Sequence, residues 1–238
     1  MSAETRSGMT RRQALAGAVA ATGLTIAGRP AAAGGRATLA DAKVCVLTPE
    51  AMEGPFYFDP KLVRADITEG KRGAPLALTL QVVEAETCSK LGGARVDVWH
   101  SDGLGVYSGY ARQATGSTEG ETFLRGTQFA DVDGQVRFAT IYPGWYPGRT
   151  PHIHFKVLVE EKDLVTGQLY FPDAITDRIY TSLEPYLARK AKRDTFNDND
   201  FIFKREGGAE TLVEINEEGG RYRAALVIGV DRRSVKRS

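Results

Sequence analysis

Two histidines separated by one residue, His152 and His154, are the side chains best placed for chemistry in this 238-residue chain. On an extended strand both would point to one face, about 7 Å apart at the backbone. Two imidazoles could then converge on one metal ion, while Ile153, Phe155 and Val157 turn the other way into a core. Only one further histidine, His100, occurs in the sequence. Immediately upstream lie Tyr142, a Pro143-Gly144 turn, Tyr146 and Arg149. Proline and glycine fix a backbone rather than build a regular element, and phenols supply oxygen donors. A solvated, hydrogen-bonded strand face is the plainer interpretation of a His-x-His pair, and the pattern by itself leaves both open.

The elements that must position this pair read as short strands. Leu76 to Glu84 and Ala94 to His100 are rich in alternating apolar residues, with Val96 and Val98 on one face. Asp102 to Gly109 is a glycine-rich loop containing Tyr107. Phe123 to Ala130, the turn Asp131-Val132-Asp133-Gly134 and Gln135 to Ile141 read as a hairpin. His152 to Val159 is the next strand and Gln168 to Phe171 a short one. Asp173 to Lys192 is helical, with Ile175, Ile179, Leu183 and Tyr186 on one face and Pro185 dividing it. Phe201 to Lys204, Glu210 to Ile215 and Arg221 to Val230 read as closing strands. The expected fold class is all-β: an antiparallel, prealbumin-like β-sandwich with short helical insertions after the His152–His154 strand.

The composition, 42% hydrophobic and 26% charged, is that of a globular chain. The N-terminus reads differently. Arg11-Arg12 precede a short Gly/Ala-rich apolar run and Ala31-Ala32-Ala33, the pattern of a twin-arginine export signal over residues 1–33. The expected organisation is that signal, a flexible leader over 34–43, a sandwich domain over 44–231 and a basic tail over 232–238. The expected location is periplasmic or secreted, with no membrane anchor. Loss of residues 1–33 removes four of 31 basic and one of 30 acidic residues, leaving 27 against 29 and a net charge of −2. Nothing there calls for nucleic acid as a partner. In an oxidising compartment Cys45 and Cys88 can form one disulfide. Two buried thiols are the alternative; we favour the bridge, which would pin the start of the domain to the first long strand.

Four segments in order carry a family resemblance: Glu53-Gly54-Pro55-Phe56-Tyr57; Val96-Asp97-Val98-Trp99-His100 with Gly105-Val106-Tyr107; Pro143-Gly144-Trp145-Tyr146; and Arg149-Thr150-Pro151-His152-Ile153-His154-Phe155. Over roughly Cys45 to Val230 the chain resembles the intradiol ring-cleavage dioxygenases, and most of all their exported, single-chain branch. The resemblance implies a non-haem Fe(III) ion held by Tyr107, Tyr146, His152 and His154. It implies a catechol cleaved by O2 between its two hydroxyl-bearing carbons to a cis,cis-muconate, with Tyr146 released and protonated on substrate binding. Arg149 falls where the family carries its active-site arginine, and Gln168 near a family glutamine that could bond the ring or the histidines. Tyr110, Tyr142 and His100 match no ligand position. Phe56, Tyr57 and Trp145 are candidate pocket walls.

The donor chemistry agrees with a ferric site. Phenolate is a hard, strongly donating ligand and imidazole suits iron, whereas zinc more often takes Cys or a third His. Two departures from the best-known relatives stand out: no long helical N-terminal region separates the signal from Cys45, and the Tyr146–His152 loop is short. Both suggest an open site with broad tolerance for substituted catechols. The partners expected are catechol and O2, and a homodimer is left open. The competing function is a non-catalytic transthyretin-like binding sandwich; a zinc hydrolase is a more remote one.

Overall fold

Eight strands in two four-stranded sheets carry almost all of the regular structure. The computed structural model describes residues 45–113 and 115–233, all within one compact unit, Ala37–Ser238. The expected export signal and leader lie outside the described residues, as does the basic tail beyond residue 233. Among the described residues no helix is long and apolar enough to cross a membrane.

In chain order the elements are β1 (Pro75–Glu84), β2 (Arg95–Trp99), β3 (Arg125–Phe129), β4 (Gln135–Ile141), β5 (His152–Val159), β6 (Lys162–Tyr170), α1 (Asp173–Ser182), α2 (Phe201–Arg205), β7 (Glu214–Glu218) and β8 (Arg221–Val230). One sheet has the order β4-β1-β8-β7 and the other β3-β2-β5-β6. The sandwich core lies between them. From the second sheet it receives Val96, Val98, Ile153, Phe155, Val157 and Leu169; from the first, Leu76, Leu78, Leu80, Phe138, Ala224 and Ile228. The period-two alternation of β5 thus sends its apolar residues inward and leaves His152 and His154 on the outer face of the sheet.

The all-β sandwich is as expected, with six local differences. The central pair β1–β8 is parallel; the other ladders are antiparallel. The expected β3–β4 hairpin is instead a crossing between sheets, β3 pairing with β2 and β4 with β1. Its turn is as anticipated, closed by Gly134 N–H to Asp131 O and capped by the Asp131 carboxylate, which accepts from the backbone of Asp133 and Gln135. β6 is longer than the short strand expected. It joins β5 through Glu160-Glu161, both at positive φ (51° and 58°), as a two-residue type I′ hairpin requires. The usual Asn-Gly signal is missing there, which hid the turn.

Phe201–Arg205 is a helix, not a strand. Asp200 caps it, its carboxylate accepting from Ile202 N–H and Phe203 N–H, so local capping outweighs the β-propensity of Phe-Ile-Phe. The closing strand expected over Glu210–Ile215 starts later, at Glu214. The main helix stops at Ser182, earlier than the expected Lys192. Its stripe nevertheless packs as anticipated: Ile179 and Tyr186 are in the core, with Ile175 and Leu183 against it.

Cys45 and Cys88 are joined in a disulfide. The bridge closes a loop with a sequence separation of 43, which in the chain-entropy picture stabilises the fold by about 3–4 kcal/mol. A double C45S/C88S variant is therefore expected to keep its native circular dichroism but to melt about 10 °C lower. Differential scanning calorimetry with and without reductant checks this; an unchanged Tm would assign the bridge no stabilising role.

Candidate metal centre

One row of residues across the outer face of the second sheet sets out the site. The ladders align Arg125 with Trp99, Trp99 with His154, and His154 with Gln168. His152 is aligned with Tyr170. Three segments cover this face: 50–58, the loop carrying Tyr107, and the loop 142–150. Under them His152 and His154 are both 2% exposed, so the solvated-face interpretation of the pair fails.

All four residues expected to bind metal come together. The rings of His152 and His154 have centroids 4.8 Å apart, Tyr146 and His152 5.6 Å, Tyr107 and Tyr146 5.8 Å, and Tyr107 and His154 6.2 Å. His152 Nδ1–H donates to the Thr150 carbonyl at 2.7 Å. A carbonyl can only accept, so Nε2 keeps its lone pair. That atom faces the Tyr146 hydroxyl at 3.0 Å and the Tyr107 hydroxyl at 3.4 Å. His154 stacks on Trp99 at 4.8 Å, and its Nδ1 is buried without a hydrogen-bond partner.

This donor set fits a ferric ion. Ligand atoms at about 2.0–2.2 Å from a shared cation sit about 3 Å apart when at right angles, close to the Tyr146–His152 separation. Nδ1 of His154 and the indole Nε1 of Trp99 stacked on it are both buried without a hydrogen-bond partner, and buried polar atoms left unpaired call for an explanation such as an ion. Among the described residues no three His, Cys, Asp or Glu side chains are grouped to hold a metal. The phenols therefore complete the set, and they favour a hard, highly charged ion.

Electrostatics point the same way. Burial, reinforced by Arg149, holds the pKa of His152 well below its ordinary value, and burial with Arg149 and Arg125 does the same to His154. Both imidazoles are thus neutral and ready to ligate. Burial raises the Tyr107 and Tyr146 hydroxyls, so ionising them requires a strong local cation.

Arg149 and Gln168 form the next layer. Arg149 Nε–H donates to Asp200 Oδ2 at 2.9 Å, and its Nη2 donates to Gln168 Oε1 at 2.5 Å and to the Tyr170 hydroxyl at 3.3 Å. Its Nη1 lies 3.5 Å from His152 Nε2. Burial alone would lower its pKa, but Tyr146, Asp200 and Tyr170 raise it overall. Gln168 also donates to the Met52 carbonyl and accepts from Tyr170 O–H. It bonds neither histidine; it holds the arginine.

The residues matching no ligand position are elsewhere. His100 is hydrogen-bonded to Ser101 O and Thr140 Oγ1. Tyr142 bonds Thr176 on α1, and Tyr110 donates to the Tyr57 carbonyl. Of the candidate walls, Phe56 stacks on Tyr107 at 4.4 Å. Tyr57 instead packs on Trp99 and donates to Asp97, and Trp145 packs under Arg189.

Three contributors were not anticipated. Asp200, with 0% exposure, also accepts from Thr150 N–H at 2.8 Å; the polar residue just before Phe201 was its only signal. Arg125 is buried and holds the Tyr107 loop through the hydroxyl and carbonyl of Ser108, while donating to Phe56 O. Gly105 has φ +83°, and a Cβ there would lie 2.2 Å from the Trp145 carbonyl oxygen. Only glycine lets the loops bearing Tyr107 and Tyr146 meet so closely.

A family model described as "Dioxygenase" matches residues 52–204. Chlorocatechol 1,2-dioxygenase of Cupriavidus pinatubonensis is 31% identical over 153 residues, 53% of this chain and 56% of that protein. Catechol 1,2-dioxygenase 1 of Acinetobacter lwoffii is 26% identical over 190 residues, 65% of this chain and 60% of that protein. The match thus spans little more than half the length of these curated relatives. Among solved structures, an intradiol ring-cleavage dioxygenase from Tetranychus urticae superposes with TM-score 0.74 at 31% identity, covering 81% of this chain and 98% of the other. The dioxygenase domain of a carbohydrate-binding fusion from Streptomyces sp. SirexAA-E gives TM-score 0.59 at 28% identity, with 78% and 98% covered.

Two outcomes follow from the buried charges. Asp200→Asn keeps a capping oxygen for α2 but leaves Arg149 without its carboxylate, so urea unfolding should show a loss of about 3 kcal/mol; a loss below 1 kcal/mol would make the pair dispensable. The second concerns pH. Burial lowers His100 from 6.5 to about 4, so between these values the unfolded chain binds a proton that the folded chain refuses. Stability should fall as pH drops from 6.5 towards 4, by about 3 kcal/mol from His100 alone. Urea midpoints measured across that range, compared with His100→Gln, check the sign and size.

Proposed function

The chain belongs to the intradiol ring-cleavage dioxygenase family, and from that premise we propose that it cleaves catechols with O2 at a ferric centre held by Tyr107, Tyr146, His152 and His154. The observation that carries this is the meeting of two phenols at the single lone-pair nitrogen of His152, with the ring of His154 4.8 Å from that of His152. A simple binding sandwich has no need of four converging, buried donor rings. The reaction adds both oxygen atoms to one substrate: catechol plus O2 gives a cis,cis-muconate-type diacid, with the bond between the two hydroxyl-bearing carbons broken.

Ferric iron, when bound, supplies a Lewis acid that takes the two catechol oxygens and draws electron density from the ring. The remaining work falls to side chains. Tyr146 is suited to move a proton. Its hydroxyl lies beside His152 Nε2, and Arg149 offsets part of the burial that raises its pKa. A phenolate displaced by substrate can therefore take up a catechol proton and keep it out of water. Arg149 is held by Asp200, Gln168 and Tyr170, so its charge is fixed before substrate arrives and stabilises negative charge as it develops. Phe56, stacked on Tyr107, is the wall against which an aromatic ring can lie.

We further propose that residues 1–33 are a twin-arginine signal delivering the folded domain to the periplasm or outside the cell. The Cys45–Cys88 disulfide supports an oxidising destination, and that export route carries proteins already folded and loaded.

Purified protein should bind one ferric ion per chain with a broad visible absorption from tyrosinate-to-iron charge transfer. Tyr107→Phe and Tyr146→Phe should each shift or weaken that band and lower kcat by at least about 100-fold. Product analysis in air should return the ring-opened diacid from catechol, 4-methylcatechol, protocatechuate and hydroxyquinol. A colourless protein with zinc on metal analysis would overturn the assignment. Turnover of a single catechol would overturn the broad tolerance.

A further inference from the structure

A cavity, none of whose walls is one of the four donor rings, lies against Trp145 in the loop that carries Tyr146. Its volume is about 320 Å³, and its walls include Trp145, Tyr180, Tyr186, Phe196, Arg189 and Lys192. That size is within the range of small-ligand sites.

The walls are aromatic and positively charged at once. Tyr180 and Tyr186 stack with ring centroids 5.2 Å apart. The Arg189 guanidinium carbon lies 4.1 Å from the centroid of the Trp145 ring. Of the charged lining residues, Arg193 is matched by Asp173 and Asp177 at 2.5 and 2.7 Å. Arg189 and Lys192 have no carboxylate partner among the described residues. Arg189 is half-buried, and Asp102 acts on it only through space. A partly desolvated guanidinium against an indole, without a counter-ion, is a ready receptor for an anion attached to a flat ring.

The cavity is also built into the frame of the loop. Four successive carbonyls accept from side chains: Tyr142 from Tyr186 O–H, Pro143 from Tyr180 O–H, Gly144 from Ser101 Oγ–H, and Trp145 from Arg189 Nη1–H. Three of these four donors are cavity walls. The walls are thus fixed by bonds to backbone, which pre-organises the cavity and limits the entropy lost on binding.

We propose that this cavity is a second, non-catalytic binding site for a monocyclic aromatic carboxylate. The carboxylate pairs with Arg189, Lys192 lies at the charged side, and the ring lies among Trp145, Tyr180 and Phe196. The proposal does not rest on the catalytic assignment, because none of the four donor rings lines the cavity.

Benzoate is the probe, titrated by calorimetry into the full-length protein, both iron-loaded and after chelation. One benzoate per chain should bind in each form. Arg189→Met, which keeps a stem over Trp145, should weaken it at least ten-fold, and Arg189→Lys by less. Acetate should bind at least ten-fold more weakly than benzoate. Loss of binding on chelation would overturn the proposal by placing benzoate on the metal. Equal binding of acetate would reduce the site to a bare cation. No binding up to about 10 mM benzoate, the weak limit for a useful small-ligand site, would overturn it outright. Should Arg189→Met fail to fold, the chelation, acetate and Arg189→Lys results still decide.

Discussion

A carboxylate shut away from water depends entirely on its donors, and Asp200 has four. Two are backbone N–H groups of the helix it caps, one is Thr150 N–H, and one is Arg149 Nε–H. The negative charge therefore ties α2, the start of β5 and the active-site arginine into one unit. Thr150 passes the constraint on, since its carbonyl takes the Nδ1–H of His152 and so sets the tautomer that leaves Nε2 free. His152, a ligand of the proposed metal, is thus oriented through a chain of three hydrogen-bonded groups that starts at a helix cap. Rigid positioning of this kind matters because misplacing a donor by 1 Å can cost a hundred-fold in rate.

The chemistry was legible because it is written in rare residue types at tight spacing. His152 and His154 sit two apart on a strand, and period-two geometry leaves no freedom about which face they share. Tyr146 and Arg149 are within six residues of His152. Tyr107 was reachable only through family resemblance, since nothing local shows that its loop folds over the pair. Asp200 was hidden for the same reason: forty-eight positions separate it from His152 in sequence, and an acid before Phe-Ile-Phe reads as the end of a loop. The β5–β6 turn was hidden differently. Glu160 and Glu161 adopt a backbone usually left to Asn and Gly, and tertiary pairing over eight residue pairs imposes it. The β3–β4 crossing shows the same override. A turn that begins like a hairpin ends as a link between layers, because the long-range ladders of β3 with β2 and of β4 with β1 take both strands.

The loop from Tyr142 to Arg149 has two faces with different chemistry. Towards β5 it presents the Tyr146 hydroxyl to His152. On the opposite side it presents Trp145 to Arg189. Neighbouring side chains on an extended segment point opposite ways, which is how one short loop can serve both the donor rings and the cavity beside Arg189. Its backbone is held from both sides, by Gly105 pressing on the Trp145 carbonyl and by the side chains that bond four carbonyls in succession. The Pro-Gly dipeptide read from sequence as a turn signal is therefore also a packing requirement. A Cβ on Gly144 would lie 2.4 Å from the Asp102 carbonyl oxygen.

Charge bears directly on the cation proposed for this site. Arg125 and Arg149 both lie near the donor rings, yet only Arg149 has a carboxylate partner. Burial pushes Arg125 down to about 10, the mark of a cation placed where charge is costly. Negative charge on the nearby phenols Tyr110, Tyr107 and Tyr57 would offset that burial. A neutral Tyr107 leaves Arg125 without its share of that counter-charge, and burial of Tyr107 and Tyr146 opposes their ionisation. The metal proposed above would ease both costs, because a cation at the donor rings would favour the tyrosinate forms and a Tyr107 phenolate would offset the charge of Arg125. Zinc with the same four ligands would carry one positive charge fewer and pull more weakly on the phenol protons. The charges around the proposed centre would thus bear on the choice of ion as well as the ligand types do, which a survey of donor atoms alone would miss.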